Sequence, residues 1–117
     1  MNQEALKGRS KDLALKIMRL IEHLPKSIQG RVIADQIMRS ASSVAANYRA
    51  ACRARSKAEF ISKLSIVVEE ADETVLWLEL INEGKLLPEN MVTDLLTEAN
   101  EITAIMVASR KTASQNN

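Results

Sequence analysis

The sequence predicts an all-α protein, an antiparallel up-down-up-down four-helix bundle, and three observations carry that prediction. Only 3 Gly and 2 Pro occur in 117 residues, too few for the turn every ~8–12 residues that a β-domain needs. Apolar residues recur at spacings of three and four through four separate segments, the period of helices with one buried stripe. The connections between those segments are short, which sets consecutive helices antiparallel. With 46% hydrophobic residues, the chain can fill one core, and its length fits a single domain over residues 1–117.

The first helix is expected over about residues 10–24. Leu13, Ile17, Leu20, Ile21 and Leu24 form its stripe, Ser10 is a candidate N-cap, and Pro25 pushes the preceding residue out of the helical region. Ser27 caps a second helix over 28–54, with Ile33, Ile37, Ala41, Val44, Tyr48 and Ala51 as its buried line. Small residues crowd that segment, so it is expected at a close helix contact.

Ser56 and Glu59 have the spacing of a capping box and open a third helix over 57–83. Phe60, Leu64, Val67, Ala71, Val75, Leu78 and Ile81 are its core line, and Gly84 is a candidate left-handed stop. Pro88 suits the first turn of a fourth helix over 88–110, with Met91, Leu95, Ile102, Ile105 and Met106 inward. The polar tail 111–117 is expected to fray.

The net charge of +1 hides a split. Residues 1–63 hold 13 Lys/Arg against 5 Asp/Glu, and residues 64–117 hold 3 against 10. On a wheel of 100° per residue, Arg31, Arg39, Arg49 and Arg53 cluster opposite the buried line of helix two. Arg55, Lys57 and Lys63 continue the positive run. Such a row neutralises backbone phosphates and releases counterions, which makes Arg39, Arg49, Arg53, Arg55, Lys57 and Lys63 the candidate nucleic-acid contacts. A solvated face, or pairing with carboxylates of a neighbouring chain, accounts for the same pattern.

Base stacking needs exposed rings in series, and the chain has only Tyr48, Phe60 and Trp77. Contacts to RNA or DNA should therefore be mostly to phosphate, with weak sequence preference. On helix three, Ile66, Trp77 and Leu80 lie away from the core line. A clustered apolar patch of that kind marks an interface, so a homo-oligomer sealed by these three residues is expected.

Enzyme chemistry finds no support. A di-iron bundle needs paired Glu-x-x-His motifs, whereas the single histidine, His23, belongs to none. Glu69, Glu70, Asp72 and Glu73 read as a solvated acidic face, with an oxygen-ligand Mg²⁺ or Ca²⁺ site as a remote alternative. Ser42 and Ser43 lack a nearby general base, and no glycine-rich phosphate loop occurs. No catalytic residue, metal ligand or cofactor is expected.

The lone Cys52 excludes a disulfide framework and fits a reducing compartment. No run of about 18 apolar residues exists to span a membrane. The opening Met1-Asn2-Gln3-Glu4 lacks the basic and apolar regions of a secretory signal. A cytoplasmic location is expected.

The stretch from Asp35-Gln36-Ile37-Met38-Arg39-Ser40 through Ala41-Ser42-Ser43-Val44-Ala45-Ala46-Asn47 resembles a motif of the four-helix-bundle family of 23S ribosomal RNA intervening-sequence proteins. The similarity continues through Arg55-Ser56-Lys57-Ala58-Glu59-Phe60, Glu70-Ala71-Asp72-Glu73-Thr74, Trp77-Leu78-Glu79-Leu80 and Leu86-Leu87-Pro88. Gln36, Arg39, Ser43, Asn47, Ser56 and Phe60 are its most specific residues. The resemblance implies an antiparallel bundle that assembles as a homopentamer, and it supplies no settled activity. A related branch, the accessory variability proteins of diversity-generating retroelements, forms a basic pentameric barrel that binds nucleic acid and a reverse transcriptase. Many members have Ala-Glu-Gly where this chain reads Tyr48-Arg49-Ala50-Ala51, a departure that makes this surface more positive.

Together these readings give a non-enzymatic oligomeric bundle with candidate nucleic-acid binding. A protein scaffold or adaptor without nucleic-acid binding is the alternative.

Overall fold

A computed structural model describes residues 1–115 as four helices in an elongated body of 48 × 20 × 19 Å. These are α1 (Gln3–Leu20), α2 (Ile28–Cys52), α3 (Lys57–Glu83) and α4 (Glu89–Gln115), with a single 3₁₀ turn at Ile21–His23 after α1. Each helix packs on its sequence neighbours, and α1 closes against α4 along the sparsest seam.

α1 starts seven residues before the expected Ser10. Asn2 is its cap, accepting from the Ala5 amide at 2.8 Å. Leu6 joins the buried stripe one heptad before Leu13, and Ser10 lies between them, 1% exposed. Its hydroxyl donates to the Leu6 carbonyl at 2.9 Å, so a small polar residue occupies a core position without an unpaired group. α4 runs to Gln115 rather than ending near 110. The expected frayed tail is therefore helical through Gln115, and Asn116 and Asn117 lie outside the described residues.

The caps of the middle helices follow local chemistry. Ser27 accepts from the Gly30 amide at 3.1 Å and Ser56 from the Glu59 amide at 3.0 Å. Glu59 turns its carboxylate toward Arg55 at 3.8 Å, so only the serine arm of the capping box is present among the described residues. At the end of α3, Gly84 has φ −78° and the left-handed residue is Lys85, at φ 56°. The Leu86 amide donates to Ile81 C=O and the Lys85 amide to Asn82 C=O, the paired bonds of a Schellman stop. Gly84 is still needed, because a Cβ there would lie 2.6 Å from the Leu80 carbonyl oxygen.

The core follows the predicted lines on all four helices, with Ile17, Ile37, Leu64, Leu78 and Ile81 fully enclosed. Burying each such side chain contributes about 1.5–3 kcal/mol. Phe60, Met91 and Ile105 are half-buried at the rim. Val92, Ala99 and Leu87 complete the core. Two buried hydroxyls cross the α2–α3 seam. Thr74 Oγ1 lies 2.9 Å from Ser40 Oγ and from the Glu70 carbonyl oxygen, and Ser40 donates to Ile37 C=O at 3.2 Å.

Two glycines give opposite expectations. A Cβ at Gly30 would fall 1.9 Å from the Pro25 carbonyl oxygen, whereas Gly8 has open space around it. Gly30→Ala should lower stability by about 1–3 kcal/mol. Gly8→Ala should raise it by roughly 0.5–1 kcal/mol, because helical glycine loses more entropy on folding. Urea midpoints that shift in these two directions at constant slope are the check.

Candidate nucleic-acid interface

The antiparallel run brings the first turns of α1 and α3 and the last turns of α2 and α4 to one end of the bundle. That end gathers most of the positive charge. Residues 1–12, 45–69 and 98–115 carry ten Lys/Arg against six Asp/Glu, and the remainder carries six against nine. The sequence split between chain halves thus becomes, in space, a basic pole and an acidic pole.

At the basic pole, Lys7 and Lys11 of α1 face Arg49 and Arg53 of α2 around an open depression, with Glu4 as the acidic residue in its lining. Arg49 and Arg53 are exposed. Among the described residues, Lys11, Arg49 and Arg53 form no ion pair, and Lys7 pairs with the largely solvated Glu4 at 2.7 Å. Lys7 and Lys11 are not among the sequence candidates: a helix beginning at Ser10 leaves Lys7 outside it, and Lys11, inside it, meets the arginines only through the packing of α1 on α2. The Asn2 cap and the heptad from Leu6 to Leu13 were the available signals.

The other candidates fall apart spatially. Arg39 lies ten residues from Arg49, about 15 Å along the helix, in the acidic half, 3.6 Å from Asp35. It also sits close enough to Glu70 to oppose that carboxyl's upward pKa shift, which comes from burial first and then from Glu73 and Glu69. Arg55 is solvated beside Glu59, Lys57 is exposed at the start of α3, and Lys63 is half-buried. Arg39 is therefore not continuous with the row that the wheel suggested, while Arg49 and Arg53 join two cations from another helix.

The rings do not form a stacking platform. Tyr48 is 3% exposed, and burial, with the Cys52 thiol beside it, pushes its phenol well above the usual range. Phe60 and Trp77 are half-buried against the core. Trp77 also departs from its expected place on the outward face of α3. Ile66 and Leu80 are exposed on that face, Leu76 is exposed beside them, and Trp77 is half-buried against the core. Among the described residues, no three His, Cys, Asp or Glu side chains converge as a metal cage. No helix among them is long and apolar enough to cross a membrane.

Residues 4–108 match the family described as 23S rRNA-intervening sequence protein. The chain belongs to that family. A member of the S23 ribosomal protein family from Bacteroides thetaiotaomicron, a protein of unknown function, has the same fold at a TM-score of 0.83 and 33% identity. That match covers 91% of this chain and 98% of the other. No curated protein matches the chain. Neither the family description nor that of the solved relative names a reaction. Several residues that carry the family resemblance serve the fold here. Ser56 caps α3, and Asn47 donates to the Ser43 carbonyl and hydroxyl oxygens at 3.0 and 2.9 Å.

One basic-pole cation is committed to structure. Arg9 binds Glu98 through Nε at 3.0 Å and through Nη2, which also reaches Glu101 at 3.1 Å. The hydrogen bond from Arg9, partly offset by burial, holds the Glu98 carboxyl below the usual carboxylate range. A lowered folded-state pKa makes the contribution complete above the unfolded value of about 4.3 and lost as pH falls through the folded one. Glu98→Gln should cost about 1 kcal/mol at neutral pH and flatten the loss of stability below about pH 4. Urea unfolding across an acid pH series tests both effects.

Proposed function

We propose that this chain is a non-enzymatic, self-assembling bundle that binds RNA or DNA by phosphate contacts at its basic pole. The observation that carries the reading is the convergence of Lys7, Lys11, Arg49 and Arg53 on one open surface with a single acidic residue in its lining. Lys11, Arg49 and Arg53, which form no ion pair among the described residues, and Lys7, paired only with the largely solvated Glu4, are pre-positioned on two helices for a polyanion and give up little when they meet one. Arg55, Lys57 and Lys63 extend the field past the α2–α3 turn. With no exposed series of rings, the contacts read charge and spacing rather than base identity.

Self-assembly belongs to the same proposal, as the homopentamer that the family resemblance implies, and a cytoplasmic setting suits it. The alternative, a protein scaffold without nucleic-acid binding, is favoured by the exposed apolar residues of α3.

Fluorescence anisotropy with unrelated single- and double-stranded oligonucleotides tests the nucleic-acid reading. Log affinity should fall linearly with log salt. The double variant Arg49→Ala/Arg53→Ala should weaken all sequences alike and reduce the salt slope by about two, roughly one per arginine. Absence of binding near about 50 mM salt, or a response indifferent to salt, overturns the reading.

A further inference from the structure

The basic depression does not end at its cations. Lys7, Lys11 and Arg49 line it, and the same three residues line a second hollow of about 280 Å³ that runs on between α1 and α2 toward the middle of the bundle. The two form one channel, with a charged mouth and an apolar trough. Leu15 and Met18 make the α1 wall of the trough, 39% and 48% exposed, and Met38, Ala45 and Ala46 make the α2 side. Ser42 also lines it. Its hydroxyl donates to Met38 C=O at 2.8 Å, which leaves the oxygen free to accept.

Phosphate contacts account for the mouth and leave the trough without a role. Lys7 and Lys11, like Arg49 and Arg53, stand one helical turn apart, about 6 Å. A strand that follows these cations crosses the mouth with a nucleotide beside the trough. A nucleobase is flat, apolar on its faces and edged with N–H groups. Thioether and methyl groups can cover such a face where no ring is exposed, and a guanidinium such as Arg49 at the lip serves a π-face as well as a phosphate.

We infer that the trough receives one unpaired nucleobase of a strand whose phosphates are held at the basic pole, so that the protein takes single-stranded nucleic acid in preference to duplex. In a duplex the bases are paired and stacked, and extruding one costs more than the trough returns. Every base carries an N–H that Ser42 can accept, so access selects the ligand and base identity does not. The direction of the preference is diagnostic. Phosphate contacts alone favour the duplex, whose charge density is higher and whose binding releases more counterions per contact. This inference rests on the nucleic-acid reading above and specifies the form of nucleic acid bound.

Fluorescence anisotropy at one salt concentration compares three DNA ligands of equal length: a single strand, its duplex, and an abasic strand with the same number of phosphates. The single strand should bind more tightly than the duplex, and about tenfold more tightly than the abasic strand, the return on covering one base face. The double variant Leu15→Gln/Met18→Gln alters two exposed positions to another good helix former and changes no charge. It should keep the urea midpoint and the salt slope while losing the single-strand advantage. A duplex bound as tightly as the single strand or more so, natural and abasic strands bound alike, or a variant that retains the advantage removes this inference and leaves the basic-pole reading in place. No binding of any of the three ligands removes both.

Discussion

A pair of hydroxyls inside an apolar seam sets the arrangement of this bundle. Apolar stripes alone tell two helices which faces to join but discriminate weakly against a slip of one turn. Ser40 and Thr74 supply the missing information. Both are 1% exposed and each also reaches a carbonyl of its own helix, so the native register adds the one hydrogen bond between them, about 0.5–1.5 kcal/mol. In the native register they meet at 2.9 Å; a slip would carry Ser40 toward apolar positions such as Leu78. The level at which α2 faces α3 fixes where the C-terminal arginines of α2 and the outward face of α3 stand.

The fold was legible because its signals are local and redundant. Low Gly and Pro content, three-four spacing, Ser27, Ser56 and Pro88 each speak for the same helices. The start of α1 was hidden by Ser10, which interrupts an apolar stripe and resembles a cap, although its hydroxyl satisfies itself on Leu6. The stop of α3 was displaced by one residue because Gly84 is required for closeness to Leu80, while Lys85 takes the left-handed turn.

Surface chemistry was less legible, for a physical reason. A helical wheel shows angle but discards height, so Arg39 and Arg49 shared a sector while standing in opposite electrostatic halves. Lys7 and Lys11 enter the depression through packing between α1 and α2, information that a single helix does not hold. The fate of Trp77 has the same origin. It and Leu76 flank the outward direction of α3, and which of them is covered depends on the neighbouring helix. Arg9 shows the converse, a cation whose charge is consumed by Glu98 and Glu101 across the α1–α4 seam.

The two electrostatic poles have a consequence for handling the molecule. A net charge of +1 and an isoelectric point near 7.9 describe an almost neutral particle, which would pass unretained over any charged resin at neutral pH. A 48 Å rod with its ends oppositely charged behaves otherwise, since each end meets a matrix within its own screening distance. Such a rod adheres to cation and anion exchangers alike, gripping the first by the tips where α2 ends and the second by the tips where α3 ends.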